Sequence, residues 1–242
     1  HDVAAPAKLN LFLHITGRRA DGYHLLQSAF VLIDWCDTLH FERRSDGRLA
    51  RHDLTAALPA DDLCLRAAQA LQQAAGCTFG ADISIDKQVP WGAGMGGGSS
   101  DAASTLLALN RLWGLDWPLS RLLPLGLALG ADVPFFLGGR NAFVEGIGEQ
   151  LTPIDLPPQR FAVVKPAATI ETRAIFESPR LARNTEAATL AGFLASDRLS
   201  FGRNDLQPPA ESCCAEVTEA LALLKARFGN SRMTGSGSAV FA

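Results

Sequence analysis

A glycine-rich stretch holds the residues whose type and spacing are best suited to chemistry. Five glycines lie within positions 92–98, and two serines follow them. Glycine lets the backbone approach a ligand without a Cβ in the way, and a helix start attracts anions. The stretch therefore predicts a phosphate-binding loop, in which Ser99 and Ser100 cap the following helix or contact phosphate oxygens or a metal. The residues assigned to the loop are Pro90, Gly92, Ala93, Gly94, Met95, Gly96, Gly97, Gly98, Ser99 and Ser100.

The neighbouring patterns favour a built loop over a flexible linker. Residues 81–86 alternate small or apolar with polar residues, which predicts a strand. Downstream, Leu106, Leu109 and Trp113 recur at helical spacing, which predicts a helix with one buried face. The loop lacks the Gly-Lys-Ser/Thr ending of a Walker loop and does not match a dinucleotide-binding fingerprint. The order of strand, glycine loop and helix is therefore the signal that predicts phosphate binding.

Lys8 and Asp132 are charged residues in otherwise apolar surroundings. Residues 7–15 alternate as a strand that places Lys8, Asn10 and His14 on one face. That face is either an exposed edge or a site for chemistry. His14 on it is interpreted as a solvated or packed histidine, with a ligand role as the alternative. Asp132 stands alone among glycines and apolar residues, so it is either hydrogen-bonded structure or a catalytic group.

Tyr23 and His24 lie together in a turn-rich loop, residues 16–24. A tyrosine beside a histidine can stack on a planar ligand and form hydrogen bonds with it. The alternative is that the aromatic ring only pins the turn.

Composition sets limits on partners and location. The 242 residues are 48% hydrophobic and carry a net charge of −3, so neither nucleic acid nor an anionic membrane is predicted as a partner. No apolar run approaches the roughly 20 residues of a membrane span. Five cysteines without Cys-x-x-Cys spacing predict reduced thiols in the cytoplasm. No obligate protein partner is evident.

Periodicity and turn residues predict a mixture of helices and strands. Helices are expected over residues 63–75, 119–129, 189–199 and 211–228. Strands are expected over residues 7–15, 25–41, 81–86, 141–150 and 161–165, and residues 45–59 read as a loop. Asp61 or Asp62 is expected to cap the first helix, and Pro124 to kink or split the second.

Prolines 153, 157 and 158 mark a predicted boundary between an N-terminal domain, residues 1–155, and a C-terminal domain, residues 156–242. A second glycine and serine loop, residues 234–238, leads into a strand pattern in which the sequence ends. We therefore expect the C-terminal domain to be incomplete at its C-terminal end.

Three stretches together resemble the three motifs of the kinase superfamily named after galactokinase, homoserine kinase, mevalonate kinase and phosphomevalonate kinase. They are Pro6–Leu11, Pro90–Ser100 and Thr234–Gly237. Residues 15–24, 96–103 and 129–134 resemble more closely one family within it, the 4-diphosphocytidyl-2-C-methyl-D-erythritol kinases. The resemblance implies two α+β domains, the first binding ATP, with the active site in the cleft between them. It implies phosphorylation of the 2-hydroxyl of a cytidyl intermediate in the non-mevalonate route to isoprenoid precursors.

The resemblance also implies roles for individual residues. It makes Asp132 the catalytic aspartate and Lys8 the lysine that contacts it. It assigns binding of the cytidyl substrate to Asn10, Tyr23, His24, Thr172 and Phe176. The rings of Tyr23 and Phe176 would stack on cytosine, and His24 would form a hydrogen bond with it. It places Lys87 near adenosine, and Asp62 at the same site, where the family has an asparagine.

Phosphoryl transfer to an alcohol needs a proton acceptor and stabilisation of charge. Asp132 is suited to accept the proton, and Lys8 to keep that carboxylate ionised. Mg²⁺ is expected to bridge phosphate oxygens, with Ser100 and water as its predicted ligands. A protein that only senses nucleotides would need the loop but not Lys8 together with Asp132. A homoserine or mevalonate kinase would not need residues for a nucleobase.

Overall fold

The structure is a computed structural model, which describes residues 2–55 and 57–242. The chain forms two compact units. Unit 1 consists of the chain up to Ala7, Leu32–Trp91 and Gly96–Arg140, and unit 2 consists of Lys8–Val31, Gly92–Met95 and Asn141–Ala242. Because each unit combines separate stretches, neither coincides with a continuous half of the chain, and the boundary at residue 155 stays a prediction.

Strands and helices are both distributed along the chain. The strands are β1 Asp2–Arg18, β2 His24–Arg44, β3 Leu49–Asp53, β4 Gly80–Asp86, β5 Ala142–Glu145, β6 Gln150–Pro153, β7 Val163–Val164, β8 Arg232–Met233 and β9 Val240–Phe241. The helices are α1 Leu63–Ala75, α2 Gly97–Leu112, α3 Leu119–Leu129, α4 Val133–Gly138, α5 Thr172–Glu177, α6 Leu190–Ala195, α7 Gln207–Cys213 and α8 Ala215–Phe228. No helix in the described ranges is long and apolar enough to cross a membrane.

In unit 1, β4 pairs antiparallel with β2, where Thr38 lies opposite Asp86, and parallel with β3. The pairing with β4 creates a strand within residues 45–59, which the sequence predicted as loop. β3 is apolar at Leu49 and Ala50 and polar from Arg51 to Asp53, so it gave no alternating signal. At the C-terminal end of α2, Trp113 Nε1 donates a hydrogen bond to the Gly80 carbonyl at 3.1 Å. This bond ties the buried face of α2 to the start of β4.

Local capping signals placed α1 correctly. Asp62 is the N-cap and accepts a hydrogen bond from the Leu65 N–H at 3.1 Å. Gly76 ends the helix with φ of 57°, a conformation that glycine adopts without strain. Pro124 lies inside α3, so the proline does not split the predicted helix.

In unit 2, β2 pairs with β5, which forms an antiparallel hairpin with β6. The single strand predicted over 141–150 is therefore wrong, because the chain turns through Gly146 and Gly148 at positive φ. A smaller sheet has the order β7-β9-β8. The helix predicted over 211–228 is also interrupted, because Cys214 is extended, with φ of −143° and ψ of 101°. Its side chain is buried in the unit's core.

His14 on β1 is packed, in agreement with the interpretation of a solvated or packed histidine. Its side chain is buried, and its ring meets Phe12 edge-on at a centroid distance of 4.9 Å. Phe201 stacks at 6.4 Å. His14 therefore belongs to an aromatic core of unit 2.

Candidate active site

The second half of the glycine loop opens helix α2. Gly96 is the N-cap with φ of 72°, and Gly97 is the first helical residue. The Ser100 N–H donates to the Gly96 carbonyl at 2.9 Å. Ser99 and Ser100 thus lie inside the first turn, and the prediction that they cap the helix is wrong. Gly98 is exposed, and a Cβ there would meet its nearest described neighbour, Leu63, at an ordinary 3.6 Å.

The first half of the loop, Gly92–Met95, serves packing within unit 2. Gly94 has φ of 72°, and a Cβ there would overlap the Thr234 carbonyl. The Ser238 N–H donates to the Gly92 carbonyl at 3.2 Å. Two glycine-containing loops are therefore bound backbone to backbone, and Gly94 is required by that close approach.

Lys87 lies between two carboxylates at the start of α2. Its Nζ donates to Asp37 and, at 2.6 Å, to Oδ2 of Asp101. Asp37 is fully buried, and its Oδ1 accepts from the N–H groups of Gln88 and Val89 at 2.6 and 2.7 Å. These contacts connect the end of β4 to the glycine helix. The predicted contact of Lys87 with adenosine stays a prediction, and sequence reasoning missed both carboxylates.

The charge balance of this cluster follows from its burial. Burial raises the pKa of the Asp101 carboxyl to about 7, although the Lys87 ammonium opposes the shift. Burial also works against the charge on Lys87, but Asp101 and Asp37 outweigh it and raise the pKa of Lys87. Two acids thus share one ammonium, which keeps Lys87 charged.

Two buried oxygen atoms, one on Asp101 and one on the neighbouring Ser100, are available to bind a metal ion. In the described part of the chain, Ser100 Oγ and Asp101 Oδ1 are buried without a hydrogen-bond partner. Hard oxygen atoms are the ligands that Mg²⁺ prefers, so these residues fit that ion. Among residues 2–55 and 57–242, no three His, Cys, Asp or Glu side chains group as metal ligands.

Asp132 is half-buried and immediately precedes α4. Two residues earlier, a Cβ on Gly130 would lie 3.9 Å from Ser99 Oγ. The backbone that carries Asp132 therefore packs close to the first turn of α2. The catalytic role predicted for Asp132 stays a prediction.

Lys8 and Asn10 on β1 are buried, with side chains 4% and 1% exposed. This excludes the interpretation of an exposed edge. Lys8 Nζ donates to Asn10 Oδ1 at 2.6 Å and lies 4.6 Å from the centroid of the Phe30 ring. The ammonium is therefore held in one place by a short hydrogen bond and an aromatic face.

Asn10 is itself fixed by hydroxyl groups. Its Nδ2 donates to Ser28 Oγ at 3.0 Å, and its Oδ1 accepts from Thr234 Oγ1 at 3.1 Å. Ser28 in turn donates to the Phe12 carbonyl at 2.5 Å. Asn10 therefore orients Lys8, and its predicted contact with substrate stays a prediction. Sequence reasoning missed Ser28, which alternation alone does not mark.

A separate cavity of about 790 Å³ lies in unit 2, near the turn at Gly22. It is lined by Arg18, Asp21, Gly22, Tyr23, His24, Leu26, Ile147, Arg173, Phe176 and Glu177. Tyr23 is 62% exposed. The rings of His24 and Phe176 have centroids 5.0 Å apart and are tilted by 31°. Three of the predicted substrate residues, Tyr23, His24 and Phe176, therefore line one cavity.

Arg183 is hydrogen-bonded to two residues that line this cavity, His24 and Phe176. Its Nε donates to His24 Nε2 at 3.3 Å, while its Nη2 donates to the carbonyls of Phe176 and Ser178 at 2.8 and 3.0 Å. Burial, Arg183 and Arg18 lower the pKa of His24. Sequence reasoning missed Arg183, because no local pattern places it beside a histidine 159 positions away.

Thr172 is the first residue of α5, the helix that also carries Phe176. Its Oγ1 lies 2.8 Å from Ser236 Oγ, and it is exposed. In unit 1, Asp62 caps α1 and pairs with Arg51 Nη1 at 2.8 Å. The substrate role of Thr172 and the adenosine role of Asp62 both stay predictions.

Comparison with known proteins identifies the family. The model of the GHMP kinases N terminal domain matches residues 62–140, and the model of the GHMP kinases C terminal matches residues 184–242. The chain is 72% identical over 242 residues to the 4-diphosphocytidyl-2-C-methyl-D-erythritol kinase of Methylibium petroleiphilum, covering all of this chain and 84% of that protein. It is 63% identical to the enzyme of the same name from Paracidovorax citrulli, covering 100% and 86%.

Solved structures agree with the sequence relatives. A crystal structure of 4-(cytidine 5'-diphospho)-2C-methyl-D-erythritol kinase matches with a TM-score of 0.85 at 36% identity, over 100% of this chain and 89% of that one. A homoserine kinase from Cytophaga hutchinsonii shares the fold alone, with a TM-score of 0.70 at 17% identity over 100% and 84%. These matches confirm the predicted α+β kinase fold and the resemblance in the three motifs. The chain belongs to the GHMP kinases and, within them, to the family of 4-diphosphocytidyl-2-C-methyl-D-erythritol kinases.

Proposed function

We propose that this chain transfers the γ-phosphoryl group of ATP to the 2-hydroxyl of 4-diphosphocytidyl-2-C-methyl-D-erythritol, in the non-mevalonate route to isoprenoid precursors. Its relatives at 72% and 63% identity carry the name of that kinase. The observation that carries the chemistry is the packing of Gly130 beside Ser99, which brings the segment of Asp132 to the start of α2. This packing supports a proposal in which the proton acceptor and the phosphate site both belong to unit 1.

In this proposal Asp132 accepts the proton of the 2-hydroxyl as its oxygen attacks the γ-phosphorus. The new O–P bond forms while the bond from phosphorus to the β-phosphate oxygen breaks, and ADP leaves. Lys8 keeps the aspartate ionised and draws charge from the attacking oxygen. The Asn10 hydrogen bond holds the Lys8 ammonium in place for that role.

The phosphates of ATP are proposed to bind where Gly96, Gly97 and Gly98 open α2, because backbone N–H groups and the helix dipole favour anions there. Mg²⁺ supplies charge neutralisation on the phosphates when bound. Ser100 and Asp101 would hold it, since each has an oxygen without a partner among the described residues.

The cavity in unit 2 is proposed to bind the cytosine of the substrate. Tyr23 and Phe176 would stack on the base, and His24 would bond its polar edge. Thr172 and Asn10 are proposed to bind other parts of the same substrate. Lys87 and Asp62 are proposed to act at the adenosine end of ATP. We further propose that the protein works in the cytoplasm without an obligate protein partner.

The test is ATP consumption with a panel of alcohols: the cytidyl substrate, homoserine and mevalonate. Turnover with the cytidyl substrate alone is expected, and turnover with homoserine or mevalonate alone would contradict the proposal. Gly98→Val tests the loop, because Gly98 is exposed and a Cβ there would make only an ordinary contact with Leu63, while the side chain would occupy the proposed phosphate site. Gly97→Val is less informative, since a Cβ there would already press on Val89 and Lys87 at 3.1 and 3.2 Å.

A further inference from the structure

Arg183 presents a hydrogen-bond donor to one specific nitrogen of His24. Its Nε lies 3.3 Å from His24 Nε2, and a guanidinium has donors but no acceptor. Nε2 must therefore be the unprotonated nitrogen of a neutral imidazole, which leaves the proton on Nδ1. The pKa of His24 is lowered by burial and by Arg183 and Arg18, which favours this neutral form.

The guanidinium cannot easily turn away from the histidine. Nη2 bonds the carbonyls of Phe176 and Ser178, and Nη1 bonds the carbonyl of Leu181 at 3.2 Å. All three carbonyls belong to α5 or to the turn after it. The same segment therefore positions the Phe176 ring in the cavity and the donor that faces His24.

We propose that Arg183 is a positioning residue that fixes the His24 tautomer with Nδ1–H as donor and thereby selects cytosine over uracil. This inference rests on the proposed cytidyl substrate. Atom N3 of cytosine accepts a hydrogen bond, whereas N3 of uracil carries a proton and donates one. A fixed donor on Nδ1 satisfies the first base and opposes the second, and an unmatched buried polar pair is unfavourable.

The first experiment measures binding of cytidine 5'-diphosphate and uridine 5'-diphosphate by calorimetry at pH 7.5. The natural chain is expected to bind the cytidine compound more tightly, by roughly tenfold or more for one matched hydrogen bond. In Arg183→Met both tautomers become available, and the ratio of the two Kd values is expected to fall toward one. Arg180→Met, an exposed arginine of the same segment, is the matched control and should keep the natural ratio.

Equal binding of the two nucleotides by the natural chain, or an unchanged ratio in folded Arg183→Met, would overturn the inference. Nitrogen-15 NMR of the histidine side chains gives a second readout on the natural chain, so the test survives a variant that does not fold. The His24 signals, assigned with His24→Gln, should show protonated Nδ1 and bare Nε2. The opposite tautomer would also overturn the inference.

These measurements need no phosphoryl transfer. A chain that selects cytidine diphosphate in the way described but fails to phosphorylate the cytidyl substrate would contradict the proposed function and leave the role of Arg183 standing. If the chain phosphorylates the substrate but Arg183→Met keeps the natural selectivity, the proposed function is supported and the role of Arg183 is contradicted.

Discussion

The polar set around Lys8 and the cavity around Tyr23 both lie in unit 2, but they are built differently. Lys8 is 4% exposed and donates to Asn10, which is 1% exposed and is hydrogen-bonded in turn to Ser28 and Thr234. Tyr23 is 62% exposed at the mouth of a cavity of about 790 Å³. In the first set, hydrogen bonds within the protein hold the polar groups in place, whereas the second offers exposed aromatic surface that a ligand would cover.

This difference predicts which kinetic constant each region controls. A preorganised ammonium acts on charge that develops in the transition state, so its loss lowers kcat. An exposed ring contributes equally to ground-state and transition-state binding, so its loss raises KM. Variants around Lys8 should therefore lower kcat with little change in KM, and variants in the cavity around Tyr23 should raise KM with little change in kcat.

Lys8→Met is expected to have the largest effect. Loss of the ammonium should lower kcat by roughly 10²- to 10⁴-fold, while binding of cytidine 5'-diphosphate changes little. Steady-state kinetics measures the fall in kcat, and calorimetry measures the binding of cytidine 5'-diphosphate. Lys225→Met, at an exposed lysine on α8, is the control and should behave as the natural chain. A kcat within tenfold of the natural value in Lys8→Met would show that the buried ammonium is structural.

Gly94→Ala should destabilise the protein through the packing around Thr234. A Cβ at Gly94 would overlap the Thr234 carbonyl, whereas at Gly229, also at positive φ, a Cβ would meet no described atom within 4 Å. Gly229→Ala should therefore cost only the left-handed strain, about 1–2 kcal/mol, and Gly94→Ala about 1–3 kcal/mol more. Urea unfolding measures both. Equal losses would mean that the two loops do not pack as described.

Tyr23→Ala should raise KM for the cytidyl substrate roughly 10- to 100-fold, from the loss of about 1–3 kcal/mol of stacking. The KM for ATP and the free energy of unfolding should stay nearly constant, because the side chain is 62% exposed. Tyr23→Phe keeps the ring and should restore binding. If both substrates were affected equally, the ring would have another role.

Acid should produce the smallest effect. The lowered pKa of His24 keeps its ring neutral above pH 6.5, so KM for the cytidyl substrate should be flat there. It should rise as pH falls through the folded pKa, by at most about tenfold per pH unit, because protonated Nε2 would face the Arg183 donor. Charged side chains facing His24 or lining its cavity are Arg183, Arg18, Asp21, Arg173 and Glu177.

The lowered pKa of His24 also determines how its contribution to folding stability depends on pH. The unfolded histidine binds a proton more readily than the folded one, so the contribution of His24 to stability is present above pH 6.5 and lost as pH falls. His24→Gln cannot titrate and should lose the acid dependence of KM. An acid limb that persists in that variant would assign it to another group.

Local signals in the sequence predicted much of this structure. The Asp62 cap and Gly76 end fixed α1 because both act within one helical turn, and alternation predicted β1. Alternation did not reveal that both faces of β1 around Lys8 and Asn10 are buried, since burial depends on distant segments. The strand β3 was missed because its pairing with β4 links segments that are distant in the sequence.

Within the candidate site, residue types at motif positions predicted Lys8, Asp132 and the glycine loop. The residues that hold other predicted site residues in place were not predictable, because only the tertiary fold brings Ser28 to Asn10, Arg183 to His24 and Asp37 to Lys87. Only the structure shows that the two halves of the glycine loop differ, since Gly92–Met95 packs within unit 2 and Gly96–Gly98 opens α2. Nothing in the sequence distinguishes Gly94, which packs on Thr234, from Gly98, which remains exposed.

The most direct test of the account is the rate of phosphoryl transfer in Asp132→Asn, Lys8→Met and the double variant. Asp132→Asn keeps size and polarity but removes the proton acceptor, so single-turnover rates should fall roughly 10²- to 10⁴-fold while both substrates still bind. In the proposed mechanism Lys8 acts on the carboxylate of Asp132, so the double variant should be little slower than the worse single variant. Near-natural transfer in Asp132→Asn, or fully multiplicative losses in the double variant, would contradict the account.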